Sequence, residues 1–185
     1  PAMRALNLSA LERAHGGRLG VAIMTPAGDE VFAWRGAERF LYCSTFKLFL
    51  AAATLQRVSA GTERLDRQIP VVEADLTPHA PVTGPAVGSA LTVEQLCKGM
   101  VEVSDNPAAN LLIRALGGLD AWKAWYPTIG DRVTRVDRLE PRLNVEDGER
   151  DTTTPLQAAS NIARLLTGPV TDAGLSADAR SLLER

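Results

Sequence analysis

The chain has 185 residues, 45% hydrophobic and 23% charged, with 15 Gly, 11 Pro and a formal net charge of -2, a composition that fits a soluble globular protein and excludes a disordered tail. No apolar run reaches the roughly 18 residues that a membrane span needs, and the near-neutral charge, with no two Lys or Arg adjacent, argues against nucleic acid as a partner. The two cysteines, Cys43 and Cys97, and the two histidines, His15 and His79, lack zinc-ligand spacing, so neither a metal nor a cofactor is expected.

The opening Pro1-Ala2-Met3-Arg4 lacks the charged start and apolar core of a signal peptide, which points to a cytoplasmic or an already processed chain. Residues 2–15 contain good helix formers, with Met3, Leu6, Ala10 and Ala14 at roughly helical spacing, and predict a surface helix with one buried face that Gly16-Gly17 ends. Leu19–Thr25 and Glu30–Gly36 are short apolar-rich runs on either side of Pro26-Ala27-Gly28-Asp29, a turn sequence, and predict a β-hairpin. From Ser44 to Ala60 the chain is apolar nearly all round, which predicts a buried helix starting at Ser44. Gly61–Ser89, with Pro70, Pro78, Pro81 and Pro85, reads as a long irregular stretch with a short strand at Ile69–Val72. Helices resume at Thr92, where Thr92-x-x-Gln95 fits a capping box, and at Pro107, framed at its far end by Gly117-Gly118. Another covers Leu119–Trp125. Residues 138–151 are charged and aperiodic and read as a loop; Thr154-Pro155 then starts a helix to about Leu166, and Ser176 caps a last one running on to Arg185. The count is two strands against about seven helices.

Three clusters suggest chemistry. In Ser44-Thr45-Phe46-Lys47 a serine and a lysine share one helix face. A serine hydroxyl needs a base, a lysine desolvated by an apolar helix can have its pKa lowered, and a helix N-terminus favours an oxyanion. Only three lysines occur, Lys47, Lys98 and Lys123, and one sits in the most apolar helix, where an unpaired ammonium is costly. Ser104-Asp105-Asn106 lies between two helices and, alone, reads as an N-cap cluster. In Arg138-Leu139-Glu140-Pro141-Arg142-Leu143-Asn144 a carboxylate and a carboxamide four apart can hold one water, with Glu140 as its base.

In this order the three clusters match the set S-x-x-K, S-D-N and a glutamate working through water. The chain resembles the class A serine β-lactamases, and the likeness extends to GGRLGVAIM, ERF-x-x-CSTFKL, SDNPAANLLI, RALGG, GDRVTRVDR-x-EPRLN and ERDTTTP, essentially the whole sequence. The resemblance implies an α+β fold: an all-α lobe beside an α/β lobe with an antiparallel sheet, forming one domain over 1–185, with 1–42 in the α/β lobe and 43–185 mainly in the all-α lobe. It implies hydrolysis of a small-molecule β-lactam with Ser44 as nucleophile, its own N–H forming half of the oxyanion hole, Lys47 or Glu140 through water as acylation base, and Ser104 as the proton relay to the ring nitrogen. Glu140 would deacylate with Asn144 holding the water; Asn106 would bond the substrate's acylamino group; Arg138 and Asp151 would close the loop bearing Glu140. A periplasmic or secreted monomer is implied.

The sequence also departs from that pattern. His79 stands where many relatives have Tyr at the pocket rim, and by resemblance it binds substrate by stacking. The stretch from Asn144 to Asp151 is two residues shorter than common. Cys43 resembles that of the carbapenem-hydrolysing branch, without that branch's partner cysteine, and Cys97 faces Ala51 where some relatives have a bridge, so Cys97 is expected as a buried free thiol. No Lys-Thr-Gly occurs. The resemblance therefore implies a domain incomplete at its C-terminus, with only the hairpin of its sheet and a complementary C-terminal fragment as a candidate partner. A penicillin-recognising peptidase or esterase, and a binding module without turnover, are the competing readings.

Overall fold

The computed structural model describes residues 7–168 and 174–183. In chain order its elements are α1 (Ser9–His15), β1 (Val21–Met24), β2 (Glu30–Trp34), β3 (Phe40–Leu41), α2 (Phe46–Ser59), β4 (Gln68–Pro70), β5 (Ala90–Thr92), α3 (Val93–Glu102), α4 (Asn106–Leu116), α5 (Leu119–Thr128), β6 (Thr152–Thr153), α6 (Pro155–Thr167) and α7 (Ala177–Leu183). The core forms around α2, whose Phe46, Leu50, Ala51, Ala52 and Ala53 are all buried. The three consecutive alanines let α3, α4 and α7 come close to α2. Each fully buried Phe or Leu contributes about 1.5–3 kcal/mol of transfer free energy.

The α-helix of α2 begins two residues later than the apolar run predicts, because Cys43–Thr45 form a tighter 3-10 turn that leads into it. At Thr92 the capping box is present in full, with Gln95 N–H on the Thr92 hydroxyl and Thr92 N–H on the Gln95 side chain. Helix α4 begins at Asn106 rather than Pro107, capped by the Asp105 carboxylate, which accepts from Ala108 N–H. Helix α5 runs on to Thr128 instead of stopping at Trp125. Its last turns are held by side-chain packing: Trp122 and Tyr126 rings lie 4.8 Å apart, and Trp122 also packs on Phe46 and Trp125. Thr154 caps α6 and the Ser176 hydroxyl accepts from Ala179 N–H at the start of α7.

Strand content is where the sequence reading falls short. The hairpin is present, with Val21 opposite Trp34 and Ile23 opposite Phe32, but four more strands form. Phe40–Leu41 pairs with Thr152–Thr153, and Gln68–Pro70, slightly earlier than the Ile69–Val72 expected, pairs with Ala90–Thr92. These strands are two or three residues long; pairs that short leave no period-two pattern to read and exist because the flanking segments bring them together. The hairpin is not isolated either, since α6 packs on β1. That approach is close enough that a Cβ on Gly20 would fall 2.6 Å from the Phe40 ring and 2.8 Å from Pro155.

Helix α1 corrects another expectation. Residues 1–6, including Met3 and Leu6, lie outside the described residues, and Ala10 and Ala14 are exposed, so no residue of the described helix is buried. Glu12 supplies the anchor instead. Its carboxylate accepts from Leu19 N–H at 2.9 Å and from Arg35 Nε at 2.6 Å and a second guanidinium nitrogen at 3.0 Å, tying α1 to the residues on either side of the hairpin.

The Arg35 guanidinium, and after it the Leu19 N–H, hold the Glu12 carboxyl at about 2, below its ordinary 4.5. A carboxyl with a depressed folded pKa contributes stability above its unfolded pKa and loses it as pH falls through the folded one. Glu12→Gln is therefore expected to melt at a lower temperature at neutral pH and to lose less of its melting temperature than the wild type between pH 4.5 and about 2. Parallel melting curves of the two proteins over that range would refute the anchor.

Candidate active site

The side chains singled out by sequence come from three separate segments. Ser44 lies in the 3-10 turn before α2 and Lys47 one turn on, at the start of the helix. Ser104 sits between α3 and α4 in left-handed backbone, φ 60°, and Cys43, just before Ser44, is left-handed too, φ 44°. Glu140 precedes Pro141 through a cis peptide bond, and the 3-10 turn Arg142–Asn144 brings Asn144 back towards it. Non-glycine residues held in left-handed backbone are costly and concentrate where surrounding structure imposes geometry.

Lys47 is the centre. It is 2% exposed, and its Nζ donates to Asn106 Oδ1 at 2.6 Å, the Ser104 carbonyl at 2.8 Å, Ser104 Oγ at 2.9 Å and Ser44 Oγ at 3.2 Å. Glu140 Oε1 stands 3.4 Å away. An ammonium has three protons for these five acceptors, so the contacts compete. Burial pushes the Lys47 pKa below its ordinary value, opposed by the charge of Glu140. Ser104 Oγ also lies 3.0 Å from Ser44 Oγ, which closes a ring of Ser44, Lys47 and Ser104. The exposed Ser44 is thus the open end of a proton network whose other end is buried.

Glu140 is 4% exposed. Its Oε2 accepts from Asn144 Nδ2 at 2.6 Å, whereas Oε1 accepts no hydrogen bond from the described residues. A buried acceptor left unmatched is costly, about 1–3 kcal/mol, and this one points to Lys47. Asn106 has both ends of its amide engaged, Oδ1 on Lys47 and Nδ2 on the Pro78 carbonyl at 2.8 Å. His79 is exposed and left-handed, φ 66°; its carbonyl accepts from Asn106 N–H and its Nε2 lies 2.7 Å from the Val103 carbonyl.

The loop bearing Glu140 is closed by Asp151, which is fully buried. One of its oxygens accepts from Tyr42 O–H at 3.0 Å and from Asp137 and Arg138 N–H at 2.9 Å each, and the other meets Arg138 Nε at 2.5 Å. Two contributors were not foreseen from sequence. Asn110 clamps the Glu140 backbone, accepting from its N–H and donating to its carbonyl, both at 3.0 Å. Its signal is a second carboxamide, one turn after Asn106, in the otherwise apolar start of α4. Asp131, 1% exposed, accepts from Val133 N–H, Thr134 N–H and O–H, and Asn161 Nδ2, fixing the approach to the loop; nothing in the spacing of Asp131 sets it apart from a surface aspartate.

Both cysteines are free thiols. Cys97 is only partly buried by exposure, yet burial pushes its thiol up to about 12; burial and then the charge of Glu140 raise Cys43. Among the described residues no group of three or more His, Cys, Asp or Glu could hold a metal ion, and no helix is long and apolar enough to cross a membrane.

A family model described as the beta-lactamase enzyme family matches residues 3–185. The chain belongs to the beta-lactamase enzyme family. It is 44% identical over 168 residues to Beta-lactamase L2 of Stenotrophomonas maltophilia, a match that covers 90% of this chain and 55% of that relative. Among solved structures it is similar to a class A beta-lactamase described as the last common ancestor of Gram-negative bacteria, with TM-score 0.89 and 49% identity over 95% of this chain and 66% of that one. A beta-lactamase from Xanthomonas campestris gives TM-score 0.88 and 43% identity, covering 95% of this chain and 65% of the other. The fold is thus the α+β fold of class A β-lactamases, and the chain spans a little over half the length of the curated relative.

Replacing Asn110 with Leu leaves the Glu140 N–H and carbonyl without their partner. Asn110→Leu is expected to lower the unfolding free energy by about 1–3 kcal/mol, read as a shift of the urea midpoint at unchanged slope. An unmoved midpoint would show that the clamp contributes nothing.

Proposed function

We propose that this chain hydrolyses β-lactams through an acyl-enzyme on Ser44, with Glu140 activating the water that releases it. The observation that carries the reading is that Lys47 Nζ lies within 3.4 Å of Ser44 Oγ, Ser104 Oγ and Glu140 Oε1 at once. In the first half-reaction Ser44 Oγ attacks the lactam carbonyl and gives up its proton to Lys47 in its neutral amine form, which burial favours, or through a water to Glu140. Ser104, in contact with both Lys47 and Ser44, passes a proton to the ring nitrogen as the C–N bond breaks. In the second half a water gives a proton to Glu140 Oε1 while its oxygen attacks the ester carbonyl; the bond to Ser44 Oγ breaks, and Glu140 returns its proton through Lys47 to the departing Ser44 oxygen. A general base in such a position contributes about 100- to 10,000-fold.

The asymmetry of Glu140 supports its assignment to deacylation: Asn144 fixes one oxygen by a hydrogen bond, while the other makes no hydrogen bond among the described residues and faces Lys47 Nζ at 3.4 Å. It also speaks against a peptidase that stops at a long-lived adduct. In this reading Asn106 and His79 meet the substrate's side chain at the rim and Asn144 holds the water. The reading assigns the acyl-transfer steps only, since no Lys-Thr-Gly stands in the sequence to receive a substrate carboxylate. In this reading the reaction takes place in the periplasm or outside the cell, as the family resemblance suggests.

Intact-mass spectrometry of the chain mixed with a penicillin tests this. A transient adduct equal to the whole penicillin, mapped to Ser44, is expected in the wild type. In Glu140→Gln the same adduct should persist, with deacylation slowed at least about 100-fold, and Ser44→Ala should show none. No adduct on wild-type Ser44, or an adduct that decays equally fast in Glu140→Gln, sinks the proposal.

A further inference from the structure

The side chain of His79 is oriented towards the loop between α3 and α4. Its Nε2 is 2.7 Å from the carbonyl of Val103, the residue that ends α3. A carbonyl oxygen only accepts, so Nε2 carries the proton in this contact. The Val103 carbonyl belongs to the peptide plane whose nitrogen is that of Ser104, and the tilt of that plane sets the φ of Ser104, which is 60°. A serine gains nothing intrinsic from left-handed backbone; the conformation is costly and persists only where neighbours impose it.

On the far side of Ser104 the loop is fixed by other groups. Asp105, fully buried, accepts from Val82 N–H and from Thr83 N–H and O–H, and Asn106 N–H and Nδ2 bond the carbonyls of His79 and Pro78. On the near side Val103 N–H reaches the Gly99 carbonyl at 3.3 Å, and beyond Ser104 the Asp105 N–H reaches the same carbonyl at 3.1 Å. The His79 ring is the side-chain donor on the plane between these two anchorages. Ser104 Oγ then meets Lys47 and Ser44 at 2.9 and 3.0 Å, a fit that a rotation of one peptide plane would undo.

We infer that His79 is a positioning residue: through its Nε2–H on the Val103 carbonyl it holds Ser104 in the left-handed conformation that aims its hydroxyl between Lys47 and Ser44. This rests on the acyl-transfer reading for its kinetic consequence, though not for its structural one. The Ser104 proton relay serves the opening of the lactam, whereas Glu140 serves the release of the acyl group, so losing the His79 contact slows acylation and spares deacylation.

Two variants test the idea. Phe in place of His79 keeps a flat ring at the rim and removes the donor; Gln places an N–H at nearly the reach of Nε2. In His79→Phe the acylation constant, measured by quenched-flow intact mass on Ser44, should fall about tenfold, the effect of one lost hydrogen bond in the reacting geometry, with deacylation within about twofold of the wild type. His79→Gln should recover acylation to within about threefold. Backbone amide NMR gives an arm that needs no turnover: the Ser104 resonance should move in His79→Phe and return in His79→Gln. An unmoved Ser104 resonance in His79→Phe, acylation and deacylation falling together, or no rescue by Gln overturns the inference. If wild-type Ser44 takes no adduct, the acyl-transfer reading has failed and the NMR comparison decides the role of His79 alone.

Discussion

One constraint organises this molecule: a lysine ammonium sits at the start of the most apolar helix, 2% exposed. Water cannot stabilise it there, and an unpaired charge in such a place would cost several kcal/mol. The chain meets that need by bringing acceptors from two distant segments, Ser104 and Asn106 from the turn between α3 and α4 and Glu140 from the long loop before β6, to join Ser44 on the helix itself. The arrangement that solvates Lys47 within the protein is the same one that links a hydroxyl open to solvent with a buried carboxylate. Structural necessity and chemistry coincide at one nitrogen.

Those acceptors would be useless if the segments carrying them could drift, and neither segment is a helix or a long strand. Three buried carboxylates do the fixing. Asp105, Asp131 and Asp151 are each at most 1% exposed, and each gathers donors from backbone N–H groups and neighbouring side chains. A carboxylate has room for about four hydrogen bonds, so one aspartate can replace the ladder that an irregular segment lacks. Four of the five non-glycine residues in left-handed backbone among the described residues, Cys43, His79, Ser104 and Asp151, flank the site or close its loop, which places conformational strain where geometry must be held.

Much of this was legible in the residues. Apolar pattern and caps placed α2 to α7 within a few positions, because helix ends depend on local groups such as Thr92 with Gln95 and Thr154 before Pro155. The spacing of Ser44 and Lys47 placed them on one face. The extension of α5 to Thr128 was not legible, since it rests on Trp122 packing tilted on Phe46 and Tyr126 edge-on to Phe49 from another helix, with Trp125 stacked on Trp122. Nor was the two-residue pairing of β3 with β6, or the role of Glu12, which holds a helix with no buried residue through ions rather than apolar contact.

By itself, then, the order of residues determined the helices and the hairpin and singled out the candidate residues Ser44, Lys47, Ser104 and Glu140, because those depend on neighbours within a few positions and on intrinsic reactivity. Only the tertiary structure decided what surrounds Lys47, which oxygen of Glu140 is left open, that Asn110 grips the backbone of Glu140, and that His79 reaches Val103. The Lys47–Glu140, Asn110–Glu140 and His79–Val103 contacts join groups 93, 30 and 24 residues apart, and contacts at that separation follow from how whole segments pack, which no local pattern encodes.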